Sequence, residues 1–372
     1  MDGPVRILNM FTIMNRGGAE TMVMNYYRKI DRNKVQFDFL VHRDEKGAYE
    51  DEIKALGGRI YRMIPIYPQN FKKYKKLLES FFDEHREYKI IHSHMSELGY
   101  FAFREAKIQG IPIRICHAHN SPHGFDLKMI MRTYLKRKMI PFVTHMFTCG
   151  EESAEWLYGK KYRNQFIQLN NAIDTKNFIF NKNIESNVRK ELNIENKFVV
   201  GHVGRFCEQK NHKRLISLFY EIQKLKSDSI LVLIGKGDLE IGIKKQIENL
   251  GITNKVIFLG LKSDVYRYMQ AFDIFLFPSL FEGLPVTMVE AQAAGLQCFI
   301  SDRIPLQCVI TNNVELFSLD EKDQIIVSRI IELHKGYKRK DMSKEIIKSG
   351  FDIEENVKWL EDFYINEYNK YK

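Results

Sequence analysis

The sequence predicts an α/β protein built as two Rossmann-like, doubly wound parallel-sheet domains. Three observations carry that prediction. At 372 residues the chain exceeds what one ordinary hydrophobic core organises, so about two domains are expected. Short β-branched or aromatic runs alternate with longer helical patterns throughout. Past the middle that alternation begins again, as two consecutive β-α series would.

In the first half the expected strands are VRILNMF, FDFLVHR, RIYRMI, KIIHSHM, IRICHAH and HMFTC. Each is five to seven residues of mainly apolar or β-branched side chains, too short for a buried helix. Between them AETMVMNYYRKI, KKYKKLLESFFDEH and YFAFREAKIQ carry apolar residues at helical spacing. The second half offers KFVVGHVG, ILVLIG, KVIFLG, DIFLFP and QCFIS, again separated by helical patterns. Parallel sheets wound in this way place ligands outside the carboxyl ends of their strands. NNAIDTKNFIFNKNIESN, residues 170–187, is polar and without clear period, which makes it the expected joint. The expected domains are 1–173 and 174–353. A C-terminal amphipathic helix, about 354–372, should pack back on the first domain through Trp359, Phe363 and Tyr368.

Composition excludes several classes. The residues are 44% hydrophobic and 28% charged, as in a globular protein. The longest apolar runs, such as AFDIFLFPSLF, are broken well short of a membrane span, and MDGPVRILNMF lacks a signal peptide's layout; a cytoplasmic protein is expected. Five cysteines with no C-x-x-C pair argue against a disulfide framework and a structural zinc site. The net charge of +10 is uneven: residues 1–173 carry 28 Lys+Arg against 19 Asp+Glu, residues 174–372 carry 29 against 28. The first domain therefore suits an anionic partner.

The stretch FEGLPVTMVEAQAAG, residues 281–295, holds two glutamates. Pro285 suits the first position of a helix and Gly295 the residue just past its end. Glu290 then shares a stripe with Val286 and Ala293 that should face inward. A carboxylate there needs a donor, from an internal salt bridge or from a ligand. Arg205 and Lys210 fall in the loop after FVVGHVG and before a helix, where an anion would bind, although taken alone the pair is accounted for more simply by a solvated loop with a surface ion pair. Gly235 and Gly237 end ILVLIG, as a plain turn or a close backbone approach to ligand. No G-x-G-x-x-G or P-loop pattern occurs.

Taken together, GRFCEQKNH, LIGKGDL, VIFLG and FPSLFEGLPVTMVEAQAAG resemble the retaining glycosyltransferases of family 4, which have the GT-B fold with two Rossmann-like domains facing a central cleft. In the first half MNRGGAETMVMNYYR, IIHSHM and HAHNS resemble members that build bacterial capsular or exopolysaccharides. The resemblance covers essentially the whole chain. It implies that Arg205 and Lys210 bind a nucleotide diphosphate, that Glu290 accepts hydrogen bonds from ribose hydroxyls, and that Glu282 contacts the transferred sugar beside the backbone of Gly283 and Leu284. His119 matches the family's donor-facing histidine, with His117 the competing choice; Gly17 and Gly18 match its glycine-rich loop. Alanine stands at 172, in NNAID, where the family usually has glycine.

The resemblance implies a retaining, metal-independent hexosyltransferase moving a sugar from a nucleotide-sugar donor, UDP-linked, to a lipid-linked or oligosaccharide acceptor for cell-surface polysaccharide. No cofactor or metal is expected, because no Asp-x-Asp occurs and no His/Asp cluster has ligand spacing along the chain. A non-catalytic partner subunit of the same fold and a nucleotide-sugar epimerase are the rival readings. Lys128, Arg132 and Lys136 near Met131, Tyr134 and Leu135, and Lys72, Lys73, Lys75 and Lys76 before an apolar face, suit either an anionic membrane surface or plain solvation. A peripheral position on the inner face of the cell membrane is the matching expectation. No nucleic-acid recognition motif is present.

Overall fold

A computed structural model describes residues 3–119 and 128–372, with Lys128 described by its backbone alone. The chain forms two units, Met1–Ala172 with Ile353–Lys372, and Ile173–Asp352.

The first unit contains seven strands: β1 (Val5–Phe11), β2 (Val35–Val41), β3 (Ile60–Arg62), β4 (Ile90–Ser93), β5 (Ile113–Ala118), β6 (His145–Thr148) and β7 (Phe166–Gln168). They pair in parallel in the order β3-β2-β1-β4-β5-β6-β7. Helices cover both faces, so the strands read as near-continuous apolar runs. Ile7, Phe11, Phe37 and Phe39 pack on one side with Tyr27 and Tyr364; Leu8, Met10 and Leu40 pack on the other with Tyr74, Leu78 and Phe103.

The second unit has six strands: β8 (Phe198–Val203), β9 (Ser229–Ile234), β10 (Val256–Gly260), β11 (Ile274–Phe277), β12 (Gln297–Ser301) and β13 (Val314–Phe317). Their order is β10-β9-β8-β11-β12-β13, again all parallel. In both sheets the first strand lies between the second and the fourth. That reversal of winding is the topological switch point, where crossover helices leave on opposite faces and open a crevice at the carboxyl ends.

Several elements differ from expectation. The tract 170–187 is not structureless: it holds the helix Thr175–Phe178 and the start of the helix Lys182–Glu191, whose first amides bond the Asn181 side chain. The C-terminal helix Ile353–Asn369 packs on the first unit through Val357, Leu360 and Tyr364. Trp359 is instead 44% exposed, its ring stacked on Phe363. Pro285 precedes the helix Val286–Ala293 as its extended N-cap residue, while Gly295, at φ +64°, follows its end. Ala172 has no left-handed backbone, so alanine fits there. Among the described residues no helix is long and apolar enough to cross a membrane, and all five cysteines are free thiols.

Candidate functional site

In the second unit the loops after β8 and β11 meet at the switch point. The Lys210 Nζ lies 2.7 Å from Glu282 Oε1 and 4.6 Å above the Phe277 ring; Gln209 donates to Glu282 Oε2 at 3.0 Å. Both charged side chains are largely enclosed, 13% and 6% exposed. The Leu280 amide donates to the Gln209 carbonyl at 2.8 Å, tying the two loops by backbone as well. Asn211, in the left-handed region at φ +51°, turns the chain into the helix His212–Leu225 and caps it by accepting from the Arg214 amide.

Arg205 lies on the same loop but is open. Among the described residues its side chain pairs only with Asp238, 3.5 Å away, and the two side chains are 70% and 88% exposed. Such a pair contributes little and leaves the guanidinium available. Gly235, which follows β9, has φ +145°, and a Cβ there would meet the Gly204 carbonyl oxygen at 2.0 Å; Gly237 is pressed equally close to the Phe206 backbone. These glycines let the turn after β9 lie against the loop that bears Arg205 and Lys210.

Glu290 occupies the second turn of its helix. Burial alone pushes its carboxyl up to about 7. The side chain has no hydrogen-bond or ion-pair partner among the described residues, which removes the internal salt bridge from the two explanations raised by the sequence. Ala293 is buried and the half-buried Val286 packs against the core, while Glu290 on the same stripe is itself only half-buried. Two further polar atoms nearby lack partners, Ser279 Oγ and Thr287 Oγ1. Both lie inside the motif, yet small hydroxyl residues carry no signal of their own in one sequence. Leu284 is buried and Gly283 half-buried in the loop between Glu282 and the helix.

In the first unit Gly17 is the N-cap residue of the helix Gly18–Lys29. A Cβ on Gly17 would strike the Glu20 carboxylate at 2.3 Å, whereas one on Gly18 would meet nothing. The switch point of this sheet, between β1 and β4, carries imidazoles instead of charges. His92 and His94 from β4 and the turn after it, with His117 and His119 from β5 and its end, share one face because alternate strand residues do. Their rings stack along each strand, His92 on His94 at 4.4 Å and His117 on His119 at 4.2 Å. Across strands His92 Nε2 is 3.2 Å from His117 Nδ1, and His94 Nδ1 is 2.8 Å from His119 Nε2. Burial holds His92, His94 and His117 well below the usual imidazole range and His119 down to about 3, so all four are neutral near pH 7. His117 is fully enclosed and His119 retains 8% of its surface.

His92, His94 and His117 offer ring nitrogens within 4.8 Å of one another. Sequence spacing did not reveal this cluster, because strand neighbours rather than sequence neighbours assemble it. Asn120 and Ser121, the end of the HAHNS motif, lie outside the described residues.

Comparison with known proteins accords with this arrangement. The pattern of "Glycosyl transferases group 1" matches residues 183–349, and that of "Glycosyltransferase Family 4" matches residues 16–177. A protein of Bacillus subtilis named putative glycosyltransferase EpsF is 34% identical over 368 residues, 96% of each chain. An Escherichia coli protein, named UDP-Gal:alpha-D-GlcNAc-diphosphoundecaprenol alpha-1,3-galactosyltransferase, is 26% identical over 75% of this chain and 76% of its own. The crystal structure of Anabaena HepE in complex with UDP matches with a TM-score of 0.77 at 18% identity, covering 96% of this chain and 99% of that one. The chain belongs to the family 4 glycosyltransferases, with the GT-B fold.

Proposed function

We propose that the protein is a retaining, metal-independent hexosyltransferase that moves a sugar from a UDP-sugar to a lipid-linked saccharide acceptor in the synthesis of a cell-surface polysaccharide. The observation that carries this reading is the unpartnered Glu290 carboxylate beside a switch point furnished with two cations. A ribose supplies the hydroxyl donors that Glu290 lacks. Arg205 and Lys210 neutralise the diphosphate and the charge that develops on it as the sugar leaves, work worth factors of ~10² to 10³ in rate for one well-placed group. Two protein cations take the place of a divalent ion. Glu282, fixed by Lys210 and Gln209, accepts from hydroxyls of the transferred sugar, with the Gly283 and Leu284 backbone beside it. For His119 the family resemblance suggests a further sugar hydroxyl as ligand, and for the loop at Gly17 and Gly18 the phosphates or the acceptor.

Names of relatives support the donor and acceptor classes: one of them names UDP-Gal and a diphosphoundecaprenol-linked sugar, and HepE binds UDP. The helix Lys128–Met139 supports a place at the inner face of the cell membrane. It leaves Ile130 68% and Tyr134 58% exposed beside Arg137 and Lys138. The helix Phe71–Glu84 spends its apolar residues Tyr74, Leu78, Phe81 and Phe82 on the core, leaving its lysines as a solvated face.

Thermal unfolding with a panel of nucleotide sugars tests the donor. The correct one at 100 times its Kd stabilises by about 2.7 kcal/mol, and Arg205→Ala should abolish that protection. Transfer should survive EDTA, and the product's anomeric proton should report the donor's configuration. Protection by no nucleotide sugar, loss of transfer in EDTA, or an inverted anomer would each refute the corresponding part.

A further inference from the structure

The four imidazoles of the first unit are more than filling. A neutral imidazole carries one donor and one acceptor nitrogen, so in a hydrogen-bonded chain the proton on one ring dictates the proton on the next. His94 is clamped between Phe11, stacked at 4.4 Å and 8°, and His92. Only the choice of protonated nitrogen remains free. Its Nε2 lies 3.3 Å from Asn9 Oδ1, which can only accept. His94 therefore carries its proton on Nε2, and its Nδ1 accepts from His119 Nε2 at 2.8 Å. By the same logic the second nitrogen of His119 carries no proton.

We propose that Asn9 and His94 are positioning residues that fix His119 as its Nε2–H tautomer, presenting Nδ1 as an acceptor for a substrate hydroxyl. The hydroxyl as occupant rests on the function proposed above; the tautomer does not. No described residue bonds His119 Nδ1, and the residue reaches the surface. The parallel pair ends differently: Tyr364 Oη bonds His92 Nδ1 at 2.7 Å, His92 bonds His117, and His117 Nε2 is buried without a partner. That chain leads nowhere a substrate could reach, which assigns the role to His119 and not to His117. No carboxylate hydrogen-bonds any of the four rings among the described residues. A divalent ion among them would bury two positive charges with no carboxylate beside them, so a chain of neutral, hydrogen-bonded imidazoles fits the cluster better than a metal.

The test is the tautomer itself, read from two-bond ¹H–¹⁵N correlations of the untagged protein labelled with ¹⁵N-histidine, with no nucleotide added. His119 should show a protonated Nε2 and an unprotonated Nδ1. Asn9→Asp keeps the acceptor and should keep that tautomer. Asn9→Leu frees His94 to reverse, so His119 should become a mixture, and kcat/KM should fall roughly tenfold for the natural donor or acceptor, the loss of about one hydrogen bond. It should fall far less for the analogue deoxygenated at the contacted hydroxyl. A protonated Nδ1, an unchanged pure tautomer in Asn9→Leu, or a stoichiometric metal in the untagged protein would overturn the proposal. A correct tautomer in a protein that transfers no sugar would instead overturn the assigned substrate.

Discussion

Replacing Lys210 by Met separates the structural and the ligand-binding roles of the second unit's switch point. Methionine keeps most of the stem that packs over Phe277 but removes the ammonium 2.7 Å from Glu282. Glu282 is then left 6% exposed with only the Gln209 amide as donor. Breaking one side of a buried pair costs about 3–5 kcal/mol, because the remaining charge stays desolvated. That is a large part of the 5–15 kcal/mol by which a domain is typically stable. Urea unfolding at pH 8 should show a lower midpoint with the slope unchanged. Adding Glu282→Leu should restore most of the loss, since a buried pair replaced on both sides is often neutral. The double variant should fold and bind no donor. A single variant costing under about 1 kcal/mol at pH 8, or a double variant as unstable as the single, would refute the buried-pair argument.

Glu290→Gln should raise stability in the absence of nucleotide by up to about 3 kcal/mol at pH 8 and leave it unchanged near pH 4, because a carboxyl pushed up to about 7 costs stability as pH climbs past its unfolded value; donor affinity, measured by calorimetry, should fall roughly tenfold. Gly235→Ala, whose Cβ would sit 2.0 Å from a carbonyl oxygen at φ +145°, should lower the urea-derived stability by more than about 2 kcal/mol, while Gly18→Ala, meeting nothing, should change it by under about 1 kcal/mol. Burial lowers the imidazole values of His92, His94, His117 and His119, so their contribution is complete above about pH 6.5 and is lost as pH falls below it; the free energy of unfolding, measured in urea, should drop between pH 7 and 5 by up to ~1.4 kcal/mol per pH unit for each imidazole that stays neutral.

The long strands were legible in the sequence because two-sided burial makes each a continuous apolar run. VRILNMF is β1, residue for residue, and QCFIS is β12. β7, Phe166–Gln168, and β13, Val314–Phe317, were not legible: three or four residues at the outer positions of each sheet carry too little period. The helices within 175–191 were hidden by asparagines, which read as loop but here cap. At the site, local spacing could relate Glu282 to Glu290, but the contact between Lys210 and Glu282 spans 72 residues and follows from strand order alone. The imidazole quartet escaped notice for the same reason. Two His-x-His pairs 25 residues apart say little until β4 and β5 are known to be neighbours.

The two switch points share a strand order and differ in what they carry, and that difference divides the chemistry. Phosphate needs positive charge, and under the function proposed above Arg205 and Lys210 supply it in the second unit although residues 174–372 are nearly balanced overall. A sugar hydroxyl needs a neutral or anionic acceptor held in place, and the first unit puts uncharged imidazoles at its own switch point although residues 1–173 hold almost all of the protein's excess charge. The basic excess therefore lies elsewhere, on exposed positions such as Lys72, Lys73, Arg137 and Lys138. Net charge and site charge are thus uncoupled in both units. If the surface cations serve a membrane and the imidazoles serve a hydroxyl, charge-reversing Arg137 and Lys138 should release the protein from anionic vesicles and leave transfer to a water-soluble acceptor intact; loss of that soluble activity would mean the surface and the site are not separate.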